Sequence, residues 1–508
     1  MLSALLLIPF LGSFLLLLWP GQPPPGRMRS IALLVLVAQL LWNLVVLMTF
    51  NPALPDLQLV ETLPWLPGLG LEYRLGIDGL SLPLLLINSA LSLVTAVCTR
   101  DINERPRLYF ALLLIISGAV NGAFMAGNLL LFLLFYELEL IPLWLLISIW
   151  GGVDRAAAAT KFLLFTAVSG MLILGAFLGL ALLTGVADFS ITPVYSDRLA
   201  MGSQLLLLGA LLIGFGIKIP LFPFHSWLPD AHTQASSPVS VLLAGVLLKL
   251  GTYGLLRFCL GLFPEAWALA APWLAIWAGV SVLYGSLAAI AQRDMKRMVA
   301  YSSVGHMGYI LLAAAAATPV SLAGAVFQMV SHGLISALLF LLVGIVYRKT
   351  GTRDLEVLRG LLNPERGLPL TGSLMTLGVM ASAGMPGMAG FISEFLVFRG
   401  SIDLFPLATL LCMVGSGLTA VYFLLLVNRA FFGRLAITPP SLAEVDGRLD
   451  IRLAAVAPRE TIPALALALA VVALGLLPSG LGSLSQSTSI AMARLPKLVA
   501  LLSAGGLG

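Results

Sequence analysis

What constrains this chain most is a repeated run of uncharged, apolar residues about as long as a bilayer is thick. A membrane-crossing helix needs roughly 20 such residues. Stretches 1–26, 30–55, 79–99, 108–136, 162–187, 266–292, 367–393, 404–428 and 461–493 contain no Asp, Glu, Lys or Arg. The stretch 298–347 is also uncharged and long enough for two passes parted at Thr318-Pro319, while 199–229 and 231–256 are interrupted only by Lys218 and Lys249. Only 10% of the 508 residues are charged, against about a quarter in a soluble domain. That excludes a soluble enzyme, a disordered chain and a nucleic-acid binder. The periodicity predicts an all-α polytopic membrane protein of about 14 transmembrane helices. The first run has no basic leader and no A-x-A site, so it is expected to remain as the first span.

Basic residues set the expected orientation. Twenty of the 28 fall in the connections after spans 1, 3, 5, 9, 11 and 13, such as Arg100, Arg105 and Arg107, or Arg293, Lys296 and Arg297. The opposite loops and the C-terminal tail hold only Arg74, Arg198, Arg257, Arg399, Arg494 and Lys497. The positive-inside rule then places the odd-to-even loops in the cytoplasm and both termini on the far side. The charged, proline-bearing connection 433–460 is expected to pack on a neighbouring subunit, and 486–503 to form a surface helix. Cys98, Cys259 and Cys412 sit singly with no CxxC, so neither an iron–sulfur cluster nor a zinc site is expected in this chain.

An ionisable residue at membrane depth is costly, and is read first as functional. Glu137 and Glu139 end a 29-residue uncharged run, with Leu140-Ile141-Pro142 continuing it. Residues two apart lie about 200° apart on a helix, so only one can face a given partner. Lys218 stands among Gly214, Gly216, Pro220 and Pro223, a composition that interrupts a helix. Lys249 lies mid-span, about 19 residues past Asp230. Glu394 follows Gly384-Met385-Pro386-Gly387-Met388-Ala389-Gly390, which predicts a second broken helix. Interrupted spans in corresponding places point to inverted repeats. Spans 4–8 (residues 108–260) and 9–13 (261–432) would be the halves, after three N-terminal helices (1–107) and before a loop, helix 14 and tail (433–508). Broken helices 7 and 12 would then correspond. All four histidines, His225, His232, His306 and His332, lie in or beside spans and suit a proton relay. An acid, two lysines and an acid at membrane depth suit a horizontal wire of coupled charges.

At these residues the sequence resembles a known family. Tyr136-Glu137-Leu138-Glu139-Leu140-Ile141-Pro142, Lys218-Ile219-Pro220, His225-Ser226-Trp227-Leu228-Pro229-Asp230-Ala231-His232, Leu247-Leu248-Lys249, Asp294-Met295-Lys296-Arg297, Ala300-Tyr301-Ser302-Ser303-Val304-Gly305-His306 and Gly390-Phe391-Ile392-Ser393-Glu394-Phe395 are similar to motifs of the antiporter-like membrane-arm subunits of complex I. With Glu394 in the twelfth span, the chain looks most like the chain 4 type of cyanobacteria and chloroplasts.

The resemblance implies a proton-translocating subunit of a photosynthetic type I NAD(P)H dehydrogenase-like complex, a ferredoxin–plastoquinone oxidoreductase of a cyanobacterial thylakoid or plasma membrane, with both termini lumenal. It implies that Glu137 pairs with Lys218, that Lys249 is central, and that Glu394 serves the exit half; Glu139 lies outside the shared pattern. Plastoquinone, ferredoxin or NAD(P)H and iron–sulfur clusters would be carried by other subunits. Partners would be further membrane-arm subunits, including a second antiporter-like one, and lipid. Phe135-Tyr136 before Glu137 points to the carbon-dioxide-uptake variant, which would add carbonic-anhydrase-like subunits. A multisubunit sodium/proton antiporter subunit shares the same fold and lysines and stays open as an alternative. A haem carrier using His306 and His332 and an inert spacer are further alternatives.

Overall fold

The structure is a computed structural model. It describes residues 1–21, 24–66, 68, 70–99, 102–186, 189–191, 198–437 and 453–505, with side chains as far as residue 495. It is helical throughout, save for one hairpin. The helices are α1 (Leu2–Leu18), α2 (Pro25–Thr49), α3 (Ser81–Cys98), α4 (Pro106–Met125), α5 (Leu129–Leu138), α6 (Leu140–Trp150) and α7 (Arg155–Thr184). There follow α8 (Met201–Lys218), α9 (Trp227–Gln234), α10 (Ser237–Leu260), α11 (Pro264–Ile290), α12 (Met295–Ala316) and α13 (Pro319–Thr350). The chain closes with α14 (Pro369–Ser382), α15 (Ala389–Ser401), α16 (Pro406–Phe431), α17 (Pro458–Leu476) and α18 (Ser479–Gly505). Seven of these helices start on a proline: Pro25, Pro106, Pro264, Pro319, Pro369, Pro406 and Pro458. A first-turn amide has no helical acceptor, so proline loses nothing there and its fixed φ starts the turn.

Twelve helical segments, counting α5–α6 as one, are long and apolar enough to cross a bilayer. Two of them mark the extremes of composition. The outer α2 has a mean hydropathy of 2.5 over its best window and is one-third buried, whereas α12 has only 1.3 and is 94% buried. Helices that face lipid must be apolar on most sides; those that face protein can carry polar groups. Buried polar side chains lie on α3, α10, α12 and α13, among others, and each of these four helices is mostly enclosed by protein.

Three details depart from the sequence reading. The run 108–136 is two helices, because Asn128 caps α5 by accepting from the Leu130 and Leu131 amides at 3.1 Å each; a turn sealed by a neutral residue leaves no charge to mark it. Residues 461–493 are likewise split at Leu477-Pro478, and the expected surface helix 486–503 is the continuation of α18. In α18, Ser485, Thr488 and Ser489 are buried, and Thr488 Oγ1 accepts from the Gly79 amide at 3.0 Å. Finally, Gln58–Leu66 (β1) and Leu71–Ile77 (β2) form an antiparallel hairpin where only helices were expected. Most of the connection 433–460, residues 438–452, lies outside the described residues.

Candidate proton-relay site

The first break begins where α8 stops at Lys218. Its loosened carbonyls are taken by indoles: Trp227 Nε1 donates to Ile217 O at 2.8 Å and Trp277 Nε1 to Phe222 O at 2.5 Å. Such partners make irregular backbone tolerable at membrane depth. Lys218, 2% exposed, donates to Glu139 Oε1 and lies 4.9 Å from the centre of the Tyr136 ring. Tyr136 is fixed by Ser169, whose Oγ stands 3.0 Å from the tyrosine hydroxyl and donates to Gly214 O at 2.7 Å.

The acid that meets Lys218 is therefore Glu139, not Glu137. The reason is local. Helix α5 ends at Leu138, and Glu139 is the joint between α5 and α6, turned inward and fully buried. Glu137 falls on the outer side with exposed Leu134, Leu138 and Ile141. It lies against α7 at Gly170, where an added Cβ would stand 3.0 Å from its Oε2.

Lys249 is fully buried in α10, between two wide π-helical turns, Leu243–Leu247 and Leu255–Leu260. Wide turns of this kind cluster at functional places because they displace backbone partners. Here the Ala244 carbonyl accepts from Lys249 Nζ at 2.6 Å. The same ammonium lies 2.8 Å from His332 Nδ1 on α13. Glycines bring the two helices together: a Cβ on Gly333 would stand 2.8 Å from Gly245 O and 3.6 Å from Lys249 Cε.

From His332 the contacts continue. Its Nε2 is 3.2 Å from Ser303 Oγ, and its ring centre is 5.5 Å from that of His306. His306 Nε2 lies 3.0 Å from Ser382 Oγ, at the end of α14; its Nδ1 lies 3.4 Å from Gln328 Nε2 and 3.8 Å from Glu394 Oε1. Ser416 donates to Glu394 Oε2 at 2.6 Å. Arg399, three-fifths exposed, binds Asp403 at 3.0 Å rather than Glu394. The second break, residues 383–388, turns on Gly384 (φ +70°) and Gly387 (φ +87°). Glycine is needed at Gly384 twice over, since a Cβ would also meet Glu394 Oε2 at 2.9 Å. Between the histidines and Glu394 is a cavity with about 10 Å³ of room, roughly one water.

The structure thus strings together Lys249, His332, His306 and Glu394, and sets Lys218 beside them. Gly251, two residues past Lys249, packs on Lys218: a Cβ there would stand 3.2 Å from the Lys218 Cβ. Among the described residues, no side-chain hydrogen bond joins the two lysines. His225 sits apart among Phe222, Tyr284 and Tyr301. His232 stacks on Phe340 at 4.4 Å, with neither ring nitrogen hydrogen-bonded. Sequence reasoning overlooked Gln328, Ser382 and Ser416, which polar composition alone does not single out. It also counted Lys296 as a loop cation, yet the side chain is 2% exposed and donates to Ala235 O at 2.6 Å. A signal was present: Lys296, Ser303 and His306 recur at helical spacing on one face of α12.

Comparison with known proteins bears on the family and the fold. A family model described as NADH:quinone oxidoreductase/Mrp antiporter, TM, matches residues 126–419. NAD(P)H-quinone oxidoreductase chain 4 2 of Thermosynechococcus vestitus is 39% identical over 505 residues, covering 97% of this chain and 92% of that protein. The protein of the same name from Microcystis aeruginosa is 43% identical over 442 residues, covering 85% and 79%. A chain of respiratory complex I from Thermus thermophilus superimposes with a TM-score of 0.85 at 30% identity, covering 98% of this chain and 100% of that one. A chain of the Mrp complex from Dietzia sp. shares the fold, with a TM-score of 0.82 at 24% identity over 99% of both. The residues matched, the extent of the identity and the shared helical scaffold carry one conclusion: this chain belongs to the membrane family of the NADH:quinone oxidoreductase and Mrp antiporter subunits.

Proposed function

We propose that this chain is the proton-translocating, antiporter-like chain 4 subunit of an NAD(P)H-quinone oxidoreductase complex, coupling quinone reduction to proton movement. The observation that carries the reading is the buried chain Lys249–His332–His306–Glu394, with the Lys218–Glu139 pair beside it. When that pair is closed, the ammonium of Lys218 is held by its carboxylate. Parting it leaves two buried charges uncompensated, and passing a proton toward Lys249 relieves one of them. His332 and His306 carry the proton on, and Glu394 releases it beyond the second break. One charge moved through 100 mV is worth about 2.3 kcal/mol, within the scale of parting one such pair.

The further assignments rest on the relatives and the residue pattern. The complex would be the cyanobacterial thylakoid or plasma-membrane form, taking electrons from ferredoxin or NAD(P)H through iron–sulfur clusters of other subunits to plastoquinone. Helices α4–α10 and α11–α16 would be its two inverted units, with the termini lumenal. Neighbours would be other membrane-arm subunits, a second antiporter-like one among them, and carbonic-anhydrase-like subunits in the carbon-dioxide-uptake form. Relatives named as quinone oxidoreductases, at about 40% identity, favour this over a sodium/proton antiporter. The test is the native complex in sealed membranes. Quinone reduction should acidify one side with wild-type protein and fail to do so with Lys249→Met. Sodium-dependent exchange in the absence of redox subunits would refute the assignment.

A further inference from the structure

Lys249 owes its orientation to a helix that departs twice from ordinary pitch, at Leu243–Leu247 and Leu255–Leu260. Helix α3 grips α10 on both sides of that lysine. Near the start of α10, the Pro238 carbonyl accepts from Thr95 Oγ1 at 3.3 Å. At the far end Arg257, inside the second wide turn, donates from Nη2 to Asp78 Oδ2 at 2.5 Å. Asp78 is 1% exposed and stands at a fixed corner. Its other oxygen, Oδ1, accepts from the Leu80 and Ser81 amides at 3.1 and 3.0 Å, where α3 starts. Strand β2 ends one residue before it, at Ile77, and the Gly79 amide one residue after it donates to Thr488 of α18 at 3.0 Å. Tyr253 lies between Lys249 and Arg257 at four-residue spacing. Its hydroxyl accepts from Arg257 Nε at 3.3 Å and donates to the Phe124 carbonyl at 3.2 Å.

An ionic contact is not needed merely to hold two membrane helices together. A buried pair gives little net stability over apolar packing, and its best-attested use is to fix one register. Register is what α10 lacks: each wide turn takes in one residue more than an ordinary turn, so the helix can be wound in more than one way. Tightening either turn would rotate one end against the other by about 100° and lengthen the helix by about 1.5 Å. Two contacts made to the same helix α3 cannot both follow that movement. We infer that α3 is a splint for α10, and that Asp78 and Arg257 are positioning residues that keep Lys249 on His332 without touching either. The inference rests on the translocation reading above, in which the proton passes from Lys249 to His332. Arg257 is eight residues from Lys249 in the chain, about 12 Å at helical rise, so the pair acts through the backbone of α10 and not by taking up a proton.

The test separates position from stability. Asp78→Asn removes the charge but keeps a side-chain oxygen for the Leu80 and Ser81 amides, so the start of α3 stays capped. In the whole complex in sealed vesicles, that variant should reduce quinone at half the wild-type rate or more, while protons moved per quinone fall at least fivefold. Arg257→Lys, which keeps a cation for Asp78, should retain half the proton yield or more; Arg257→Met should not. The double variant Asp78→Asn with Arg257→Met leaves no uncompensated charge, so it should assemble at least twofold better than Arg257→Met alone, yet its proton yield should stay fivefold down. It also carries the test if a single variant fails to assemble. Proton yield that returns together with assembly in the double variant would make the pair a structural tie alone and overturn the proposal, as would a normal yield in Asp78→Asn. A wild-type complex that reduces quinone without moving protons would instead refute the translocation reading on which the proposal depends.

Discussion

The two broken helices solve one problem in opposite ways. At the first break, an ammonium on the broken helix meets a carboxylate from the helix pair before it: Lys218 on α8, Glu139 between α5 and α6. At the second, the broken helix carries the carboxylate and the opposing group is an imidazole: Glu394 on α15, His306 on α12, 3.8 Å apart. The first is a closed ion pair inside a clasp of two tryptophan indoles. The second holds Glu394 by one serine hydroxyl and leaves its Oε1 without a hydrogen bond, beside glycines. A closed pair stores charge against release; a carboxyl held by one neutral donor accepts or yields a proton with little rearrangement. The difference suits a gate at one end and an outlet at the other.

That contrast can be broken by removing one group at a time. Lys218→Met strands the buried Glu139 carboxylate and should cost about 3–5 kcal/mol, read as a fall in assembled complex or in its melting temperature. Adding Glu139→Gln should recover much of that stability without restoring proton movement; no recovery would mean that the two residues do not act as a pair. Next in size, Ser416→Ala deletes the single donor to Glu394 and should cost about 1.5–3 kcal/mol, measured the same way. Glu394→Gln keeps an acceptor for Ser416, so stability should change by less than about 1 kcal/mol. Proton yield per quinone should nevertheless fall at least tenfold, and a normal yield would remove Glu394 from the outlet. The smallest stability change is expected from Glu137→Gln, within about 0.5 kcal/mol, because no hydrogen bond of that carboxylate is lost. A larger loss than that of Glu139→Gln would restore Glu137 as the partner of Lys218.

The chemistry was more legible in the sequence than the pairing. Lys218, Lys249, His306, His332 and Glu394 each stand alone in a long apolar run, and the cost of placing them there announces them. The choice between Glu137 and Glu139 was not legible, because it depends on where one helix stops. A joint at Glu139 resets the phase that a continuous helix would give, and Leu138 and Leu140 on either side say nothing about it. The burial of Lys296 was hidden for a related reason: a basic residue beside Asp294 and Arg297 has the composition of a surface turn, and only packing of the α9–α10 connection over α12 covers it. Turns sealed by Asn128 or by Leu477-Pro478 left the helix boundaries unmarked, since neither carries a charge. The hairpin β1–β2 escaped because membrane-length runs dominate the pattern on either side.

The wide turns on both sides of Lys249 have a geometrical consequence. Each accommodates one residue more than an ordinary helical turn. Were the ladder around Leu243–Leu247 to tighten to the usual pitch, everything beyond it would rotate by about 100° and slide by about 1.5 Å. Lys249 would then be carried off His332 and round toward another neighbour. The amount of slack wound into one helix, rather than any hinge between helices, therefore sets which way the central amine points.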